Sequence, residues 1–247
     1  MRFLIHFSYD GSSFHGYQTQ PGYRTIQEEL ENAATKINNG EKVKVVASGR
    51  TDKKVHAYHQ VAHLDMNVSI SPKQVKRAMN RYLPSDIHVF EVEEVSSDFH
   101  ARYYVISKTY EYHLNMGEYN PIRRNYCYQH NYKLDIEAMK KAITYFIGTH
   151  DFRAFVTENS IKDNCVRTIT NASITLDDYY KDEIVFTFEG NGFLRYQVRN
   201  MVGLLIKVGT GKIDYRLVKE ILDSKVRGKY GTTAKAEGLY LKNIVLR

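Results

Sequence analysis

An α+β fold in two halves is what this 247-residue sequence predicts. Apolar runs of strand length, several of them alternating, are interleaved with segments whose apolar residues recur at helical spacing. From Phe3 to Val95 the order is strand, helix, strand, strand, helix, strand, that of a split βαβ, ferredoxin-like unit. A second mixed set begins near Ile106, with no Pro-rich or Gly/Ser-rich linker before it. The halves are set at 1–106 and 107–247, and no convincing sequence repeat relates them.

Phe3 to Tyr9 reads as the first strand, with Phe3, Ile5 and Phe7 on one face. Asp10 to Tyr23, rich in Gly, Ser and Gln, reads as a loop. Thr25-Ile26-Gln27-Glu28 predicts a capping box, the Thr25 hydroxyl serving an early amide while Glu28 reaches back. Ile26, Leu30, Ala33, Ala34 and Ile37 form that helix's buried stripe, and Asn38-Asn39-Gly40 ends it. Val43 to Ala47 and Ala57 to Met66 are the next strands. Ser71-Pro72 opens a second helix, with proline in the first turn, where no amide bond is lost. Val75, Ala78, Met79, Tyr82 and Leu83 give it an apolar face, and Ile87 to Val95 is the closing strand of this half.

In the second half, strands are expected at Lys108 to Leu114 and Asn125 to Tyr128. Asp135 caps a helix with Ile136, Met139, Ile143 and Phe146 on its face, ended by Gly148. Strands follow at Arg167 to Leu176 and Glu183 to Glu189, where Ile184, Phe186 and Phe188 alternate. A helix carries Val198, Met201, Val202, Leu205 and Ile206; Asp214 caps a last helix, Tyr215 to Ser224; and a strand runs from Leu239 to Leu246.

Hydrophobic residues make up 43% of the chain, which supports a core and opposes disorder. No apolar run approaches the roughly 20 residues of a membrane helix; the longest, Met201 to Val208, is interrupted by Gly203 and Lys207. The opening Met1-Arg2-Phe3-Leu4-Ile5-His6-Phe7 is too short for a signal-peptide core, so no membrane partner and a cytoplasmic location are expected. Cys127 and Cys165 lack metal-type spacing and read as reduced thiols. His59 and His63 fall on one face of a strand-like segment that His56 just precedes, so no metal is expected. The net charge of +7 favours a polyanionic partner. The 20 tyrosines can stack on bases, although most fit half-buried strand positions.

The densest chemistry lies in Ser48-Gly49-Arg50-Thr51-Asp52-Lys53-Lys54-Val55-His56-Ala57, on the loop where a strand stops. A fixed cation beside a carboxylate keeps it ionised, and such a group can accept a proton, hold a sugar or attack a carbon. The structural reading of Arg50 and Asp52 is a cap with its paired arginine. Tyr110 can stack on a base, or bond its hydroxyl locally within a strand. Arg199 lies off the core phase of Val198, Met201 and Val202, where a surface ion pair is the ordinary reading. His150-Asp151-Phe152 reads as a turn, because adjacent residues of an extended chain point to opposite sides and make no triad. Val208-Gly209-Thr210-Gly211-Lys212 follows a helix instead of opening one, which excludes a P-loop.

The ten-residue string resembles the hallmark of the A-type tRNA pseudouridine synthases, Ser-Gly-Arg-Thr-Asp-x-Gly-Val-His-Ala. The resemblance runs from Phe7 to the C-terminus. It includes Tyr9-Asp10-Gly11-Ser12-Ser13-Phe14-His15-Gly16-Tyr17-Gln18-Thr19-Gln20, Phe99-His100-Ala101-Arg102 and Lys108-Thr109-Tyr110-Glu111-Tyr112. It continues through His150-Asp151-Phe152-Arg153-Ala154-Phe155, Gly192-Phe193-Leu194, Val198-Arg199-Asn200-Met201-Val202-Gly203 and Ala236-Glu237-Gly238-Leu239-Tyr240-Leu241. It departs at Lys54, where the family usually has glycine, and at Lys235, where it often has proline. If position 54 needs a positive φ, lysine is strained there; if not, Lys54 adds a cation near substrate phosphate.

The resemblance implies two ferredoxin-like, RRM-like halves sharing one continuous antiparallel sheet, with the active-site cleft between them. It implies an isomerase that converts uridine to pseudouridine at positions 38 to 40 of the tRNA anticodon stem-loop, as a homodimer and with no cofactor. Asp52 then acts at ribose C1′, Tyr110 is the active-site tyrosine, and Arg199 is the aspartate's partner, a role suited to a two-pronged guanidinium. Arg50 is implied to help push the target nucleotide out of the stack, with a second ion pair to Asp52 as the alternative. Arg195, His56 and Lys54 are expected on the substrate side. The competing readings are a paralogue acting on another RNA such as rRNA, a non-catalytic RNA-binding protein, against which stands the lack of any segment here that fits the RNP1 pattern, and an aspartate-nucleophile hydrolase.

Overall fold

The structure, a computed structural model, describes residues 1–157, 164–226, 228 and 231–247. It is α+β, and the chain divides into two units, Met1–Ile106 with Tyr240–Arg247, and Ser107–Leu239.

The first unit opens with β1 (Arg2–Tyr9), whose Phe3, Ile5 and Phe7 are fully buried on one face. Then come α1 (Ile26–Ile37), β2 (Val45–Ala47), β3 (His56–Asp65), α2 (Pro72–Tyr82) and β4 (Ile87–Val95). β1 is antiparallel to β3 on one side and to β4 on the other, and β2 is antiparallel to β3, giving the order β4-β1-β3-β2. Ile26, Leu30 and Ala34 of α1 and Val75 and Met79 of α2 complete the core. Burying each large side chain of this set contributes about 1.5–3 kcal/mol.

The two helix starts differ in how they are capped. Ser71 accepts from the Gln74 amide while Gln74 accepts from the Ser71 amide, a complete capping box at α2. The box expected at Thr25 and Glu28 does not form, because Thr25 is fully buried and makes no side-chain cap bond. The preceding loop satisfies the first amides of α1 instead: Ile26 donates to the Gly16 carbonyl and Gln27 to that of Tyr17. Loop and helix are thereby tied through backbone.

The second unit contains most of β5 (Val105–Asn115), then β6 (Tyr128–Gln129), α3 (Ile136–Ile143), β7 (Gly148–Asp151), β8 (Val166–Leu176), β9 (Glu183–Gly190), α4 (Gln197–Gly209) and α5 (Leu217–Ser224). Its strands run β5-β9-β8-β7, antiparallel throughout, with β6 parallel to β5. Phe146, Phe152, Phe155, Phe186 and Phe188 fill its core with Met139, Met201, Val202 and Leu205. Four expectations shift here. The strand expected at Asn125 to Tyr128 is confined to Tyr128–Gln129, with Asn125 and Tyr126 in a turn. Gly148 to Asp151 is a strand followed by a 3-10 turn, where a turn alone was expected at His150-Asp151-Phe152. α3 stops at Ile143 and gives way to a 3-10 turn before Gly148. α5 starts at Leu217, because Asp214 bonds both the amide and the guanidinium of Arg216 and holds the preceding residues in a turn.

The last strand, β10 (Leu239–Leu246), pairs in parallel with β3 through Tyr240 opposite His56 and Leu241 opposite Ala57. That pairing, with the Arg247 amide donating to the Tyr104 carbonyl, places Tyr240–Arg247 in the first unit, whereas the sequence groups them with the second half. No helix among the described residues is long and apolar enough to cross a membrane.

Candidate active site

Asp52 stands, half-buried, at the head of a turn closed by the Val55 amide donating to the Asp52 carbonyl. Both shoulders of this loop are fixed. On one side buried Thr51 bonds the Tyr9 hydroxyl at 2.8 Å, and its carbonyl accepts from the Tyr17 amide. Burial raises the Tyr9 phenol well above its usual range, so it stays a neutral hydrogen-bonding partner. On the other side Gly11 lies against the Val55 carbonyl so closely that a Cβ would come within 2.0 Å of the oxygen. The Gly11 amide donates to Nδ1 of buried His56 at 3.1 Å. Below the loop, Gln60 accepts from the Ser48 hydroxyl and donates to the Gly49 carbonyl. Tyr9, Gly11 and Tyr17 belong to the segment quoted in the resemblance, yet nothing in their spacing announced that they brace the Asp52 loop.

Lys54 has φ of +66°, so the third position of the turn is left-handed and lysine replaces the residue best suited to it. It is also exposed, as are Arg50 and Lys53, so the loop presents cations to solvent around one carboxylate. Lys53 Nζ lies 2.9 Å from His15 Nε2, whose ring stacks on Tyr23. A left-handed non-glycine residue costs about 1–2 kcal/mol, offset in part by the greater freedom glycine has when unfolded. Lys54→Gly is therefore expected to stabilise the protein by about 0.5–1 kcal/mol, read as a higher denaturant midpoint at unchanged slope. A lower midpoint would show that the turn is not strained.

In the second unit Tyr110 lies on β5 opposite Phe188 of β9, half-buried, with its ring edge-on to Phe193 at 5.1 Å. Two residues on, Tyr112 is fully buried and donates to the Lys235 carbonyl. Lys235 has φ of −57°, the value a proline ring imposes, so the backbone there accommodates either residue. Arg199 is held by two reciprocal bonds: its Nε donates to the Ala234 carbonyl at 2.8 Å, and its own carbonyl accepts from the Ala234 amide. Neighbouring Asn200 accepts from the Thr233 hydroxyl, and a Cβ on Gly203 would come within 2.1 Å of the Thr232 carbonyl. The Arg199, Asn200 and Gly203 pattern of α4 is thus a docking face for residues 232–234. The Arg199 guanidinium lies over the Tyr196 ring at 5.3 Å, and that of exposed Arg195 lies over the same ring at 4.8 Å. Tyr196 itself has φ of +64° immediately before α4, a strained backbone of the kind that clusters at functional sites.

His56, His59 and His63, close together in the sequence, are engaged separately. His56 accepts from Gly11, and His59 bonds His6 at 2.8 Å and Asn243 at 2.7 Å. His63 accepts from the Ala101 amide, and burial together with nearby Arg2 lowers it to about 4. Burial, then His59, lowers His6 as well. Among the described residues, His6 with Glu91 and Glu93, and His113 with Asp177 and Glu183, have spacing compatible with a metal. The first group is largely at the surface, and in the second Glu183 is already bonded twice by Arg123.

A family described as tRNA pseudouridine synthase matches residues 5–104 and 142–245. The tRNA pseudouridine synthase A of Streptococcus agalactiae serotype Ia is 44% identical over 245 residues, covering 99% of this chain and 95% of that protein. The protein of the same name from Streptococcus suis is also 44% identical over 245 residues, covering 99% of this chain and 98% of that one. A solved chain titled "Structure of H/ACA RNP bound to a substrate RNA containing 2'-deoxyuridine" is 14% identical with a TM-score of 0.31, covering 83% of this chain and 53% of that chain, and so weak a likeness carries no argument. On the family match and the full-length relatives, this chain belongs to the tRNA pseudouridine synthase family.

Proposed function

We propose that the chain is a cofactor-independent isomerase that converts uridine to pseudouridine at positions 38 to 40 of the tRNA anticodon stem-loop. The observation that carries the reading is the Asp52 loop, a half-buried carboxylate flanked in sequence by exposed cations and braced from both sides. The reaction breaks the N1–C1′ bond, turns the freed uracil, forms a C5–C1′ bond and releases the C5 proton. A carboxylate at C1′, preorganised by its loop, suits the first step. In this reading Tyr110 stacks on the uracil while its oxygen approaches a proton in transit. Arg199, anchored through Nε to the Ala234 carbonyl, is the aspartate's partner in this reading, a role suited to a two-pronged guanidinium. Arg50 pushes the nucleotide from the stack, Lys54 and Arg195 meet phosphates, and His56 backs the substrate side from its buried position.

The same reading takes both units as ferredoxin-like. The order β4-β1-β3-β2 of the first unit supports this, while the second runs as a β7-β8-β9 meander with β5 beside β9. It also takes the protein as a cytoplasmic homodimer, one subunit holding the tRNA body while the other modifies the loop. Mapping pseudouridine in tRNA from cells with and without the gene tests the assignment. Loss at positions 38 to 40 is expected, and an unchanged anticodon arm with loss in another RNA would transfer the activity to that RNA.

A further inference from the structure

Beyond the Asp52 loop, β3 carries a feature that the chemistry above does not use. Between the pairs Phe7–Gln60 and Tyr9–Ala57, three steps of β3 are matched to two of β1, a bulge that re-aims the side chains around Tyr58. His56, Tyr240 and Tyr58 form a stacked column. The His56 and Tyr240 rings are 4.7 Å apart at 21°, and the Tyr240 and Tyr58 rings are 5.0 Å apart at 13°. The inner members are 2% and 6% exposed, whereas Tyr58 is 49% exposed. The column is anchored at its inner end, where His56 accepts from Gly11 of the Asp52 loop brace. At its outer end the Lys242 ammonium lies 4.9 Å from the centre of the Tyr58 ring.

We propose that Tyr58 and Lys242 form a subsite for an unpaired nucleotide of the RNA substrate, the ring receiving the base and the ammonium its phosphate. The proposal rests on the reading of this chain as an RNA-modifying enzyme. A ring already backed by two others is held in one orientation, so a base that stacks on it orders little else. Lysine is suited to the second part because its long stem swings from over the Tyr58 ring to a phosphate, giving that face to the base while the charge is kept. The chain from Asp52 to Tyr58 spans at most about 20 Å, which keeps this nucleotide near the target uridine. Every base offers a stacking face, so the subsite selects an unpaired nucleotide without selecting its identity.

The test is the equilibrium affinity of the full chain for an unmodified anticodon stem-loop transcript, by fluorescence anisotropy. Tyr58→Ala is expected to raise Kd roughly 5- to 150-fold, with Tyr58→Phe within about twofold because the ring is kept. Tyr58→Leu, which keeps the bulk and loses the aromatic face, guards against a folding defect and is expected to weaken binding as Ala does. Lys242→Gln is expected to reduce the slope of log affinity against log salt by about 0.7–0.9. Tyr82 is the control, since it is 45% exposed and carries the Lys36 ammonium 5.4 Å from its ring centre. Tyr82→Ala is expected to bind like wild type. Unchanged affinity in folded Tyr58→Ala and Tyr58→Leu, or an equal loss in Tyr82→Ala, would overturn the subsite. Pseudouridine formation by the wild type is read separately. An inactive wild type would defeat the catalytic reading while the binding series still decides the role of Tyr58.

Discussion

Replacing Asp52 with Asn is expected to leave tRNA binding near the wild-type value and to slow pseudouridine formation by at least about 100-fold, the lower end of what one positioned acid–base group contributes. The substitution keeps the size of the side chain and removes its charge. The loop should survive it, because it is also held through neighbours: Thr51 to Tyr9 and Tyr17, Val55 to the Asp52 carbonyl, and His56 to Gly11. If Asp52 were only a structural cap, loss of activity would follow loss of fold and appear as a lower melting temperature. If it were solvated and idle, stability and rate would both stay within about 0.5 kcal/mol of wild type. Single-turnover rates measured beside melting curves and tRNA affinity separate the three cases. Turnover near the wild-type rate would remove Asp52 from the chemistry.

The largest effect on stability is expected at Arg123. Its Nε and Nη2 donate to the two carboxylate oxygens of Glu183 at 3.1 and 2.7 Å, and its guanidinium lies 4.3 Å from the centre of the Tyr180 ring. Glu183 is 3% exposed, at the first residue of β9. Burial alone would lower the Arg123 pKa, but the hydrogen bond and charge of Glu183 outweigh it and the net shift is upward. Arg123→Met leaves a buried carboxylate without its cation, which costs about 3–5 kcal/mol, or a melting temperature lower by roughly 6–20 °C. Adding Glu183→Leu removes the stranded charge and is expected to recover most of that loss, since apolar pairs replace buried ion pairs at little cost. Denaturant melting of the two variants measures both values. A single variant within 1 kcal/mol of wild type would mean that water reaches Glu183.

What could be read from the sequence was local. Ile87 to Val95 emerges as β4 with the same bounds, and the helical spacing from Val198 to Ile206 lies within α4, because each pattern is complete within its own segment. The break after the Val43 to Ala47 run was legible for the same reason, and it emerges as the turn closed by Val55 on the Asp52 carbonyl. What escaped depends on partners far away in sequence. Nothing near Leu239 announces that β10 pairs with β3, so the last eight residues go to the other unit. Thr25 satisfies the sequence pattern of a cap, but the Gly16 and Tyr17 carbonyls take over its work. Arg199 could be placed off the core phase of its helix, yet its anchoring by Ala234 needs a segment 35 residues on. Lys54 posed a conditional question that only its backbone angle could answer. The Tyr58 column required both a bulge and a parallel neighbour, neither of which has a local signature.

The most direct test follows the proton that the proposed isomerisation must release. Purified protein is mixed with an unmodified tRNA transcript whose uridines carry tritium at C5. Release of tritium to water is expected, in amount matching the uridines at positions 38 to 40, with release lost in Asp52→Asn and when those uridines are replaced by cytidines. Intact protein that binds the transcript and releases no tritium would contradict it.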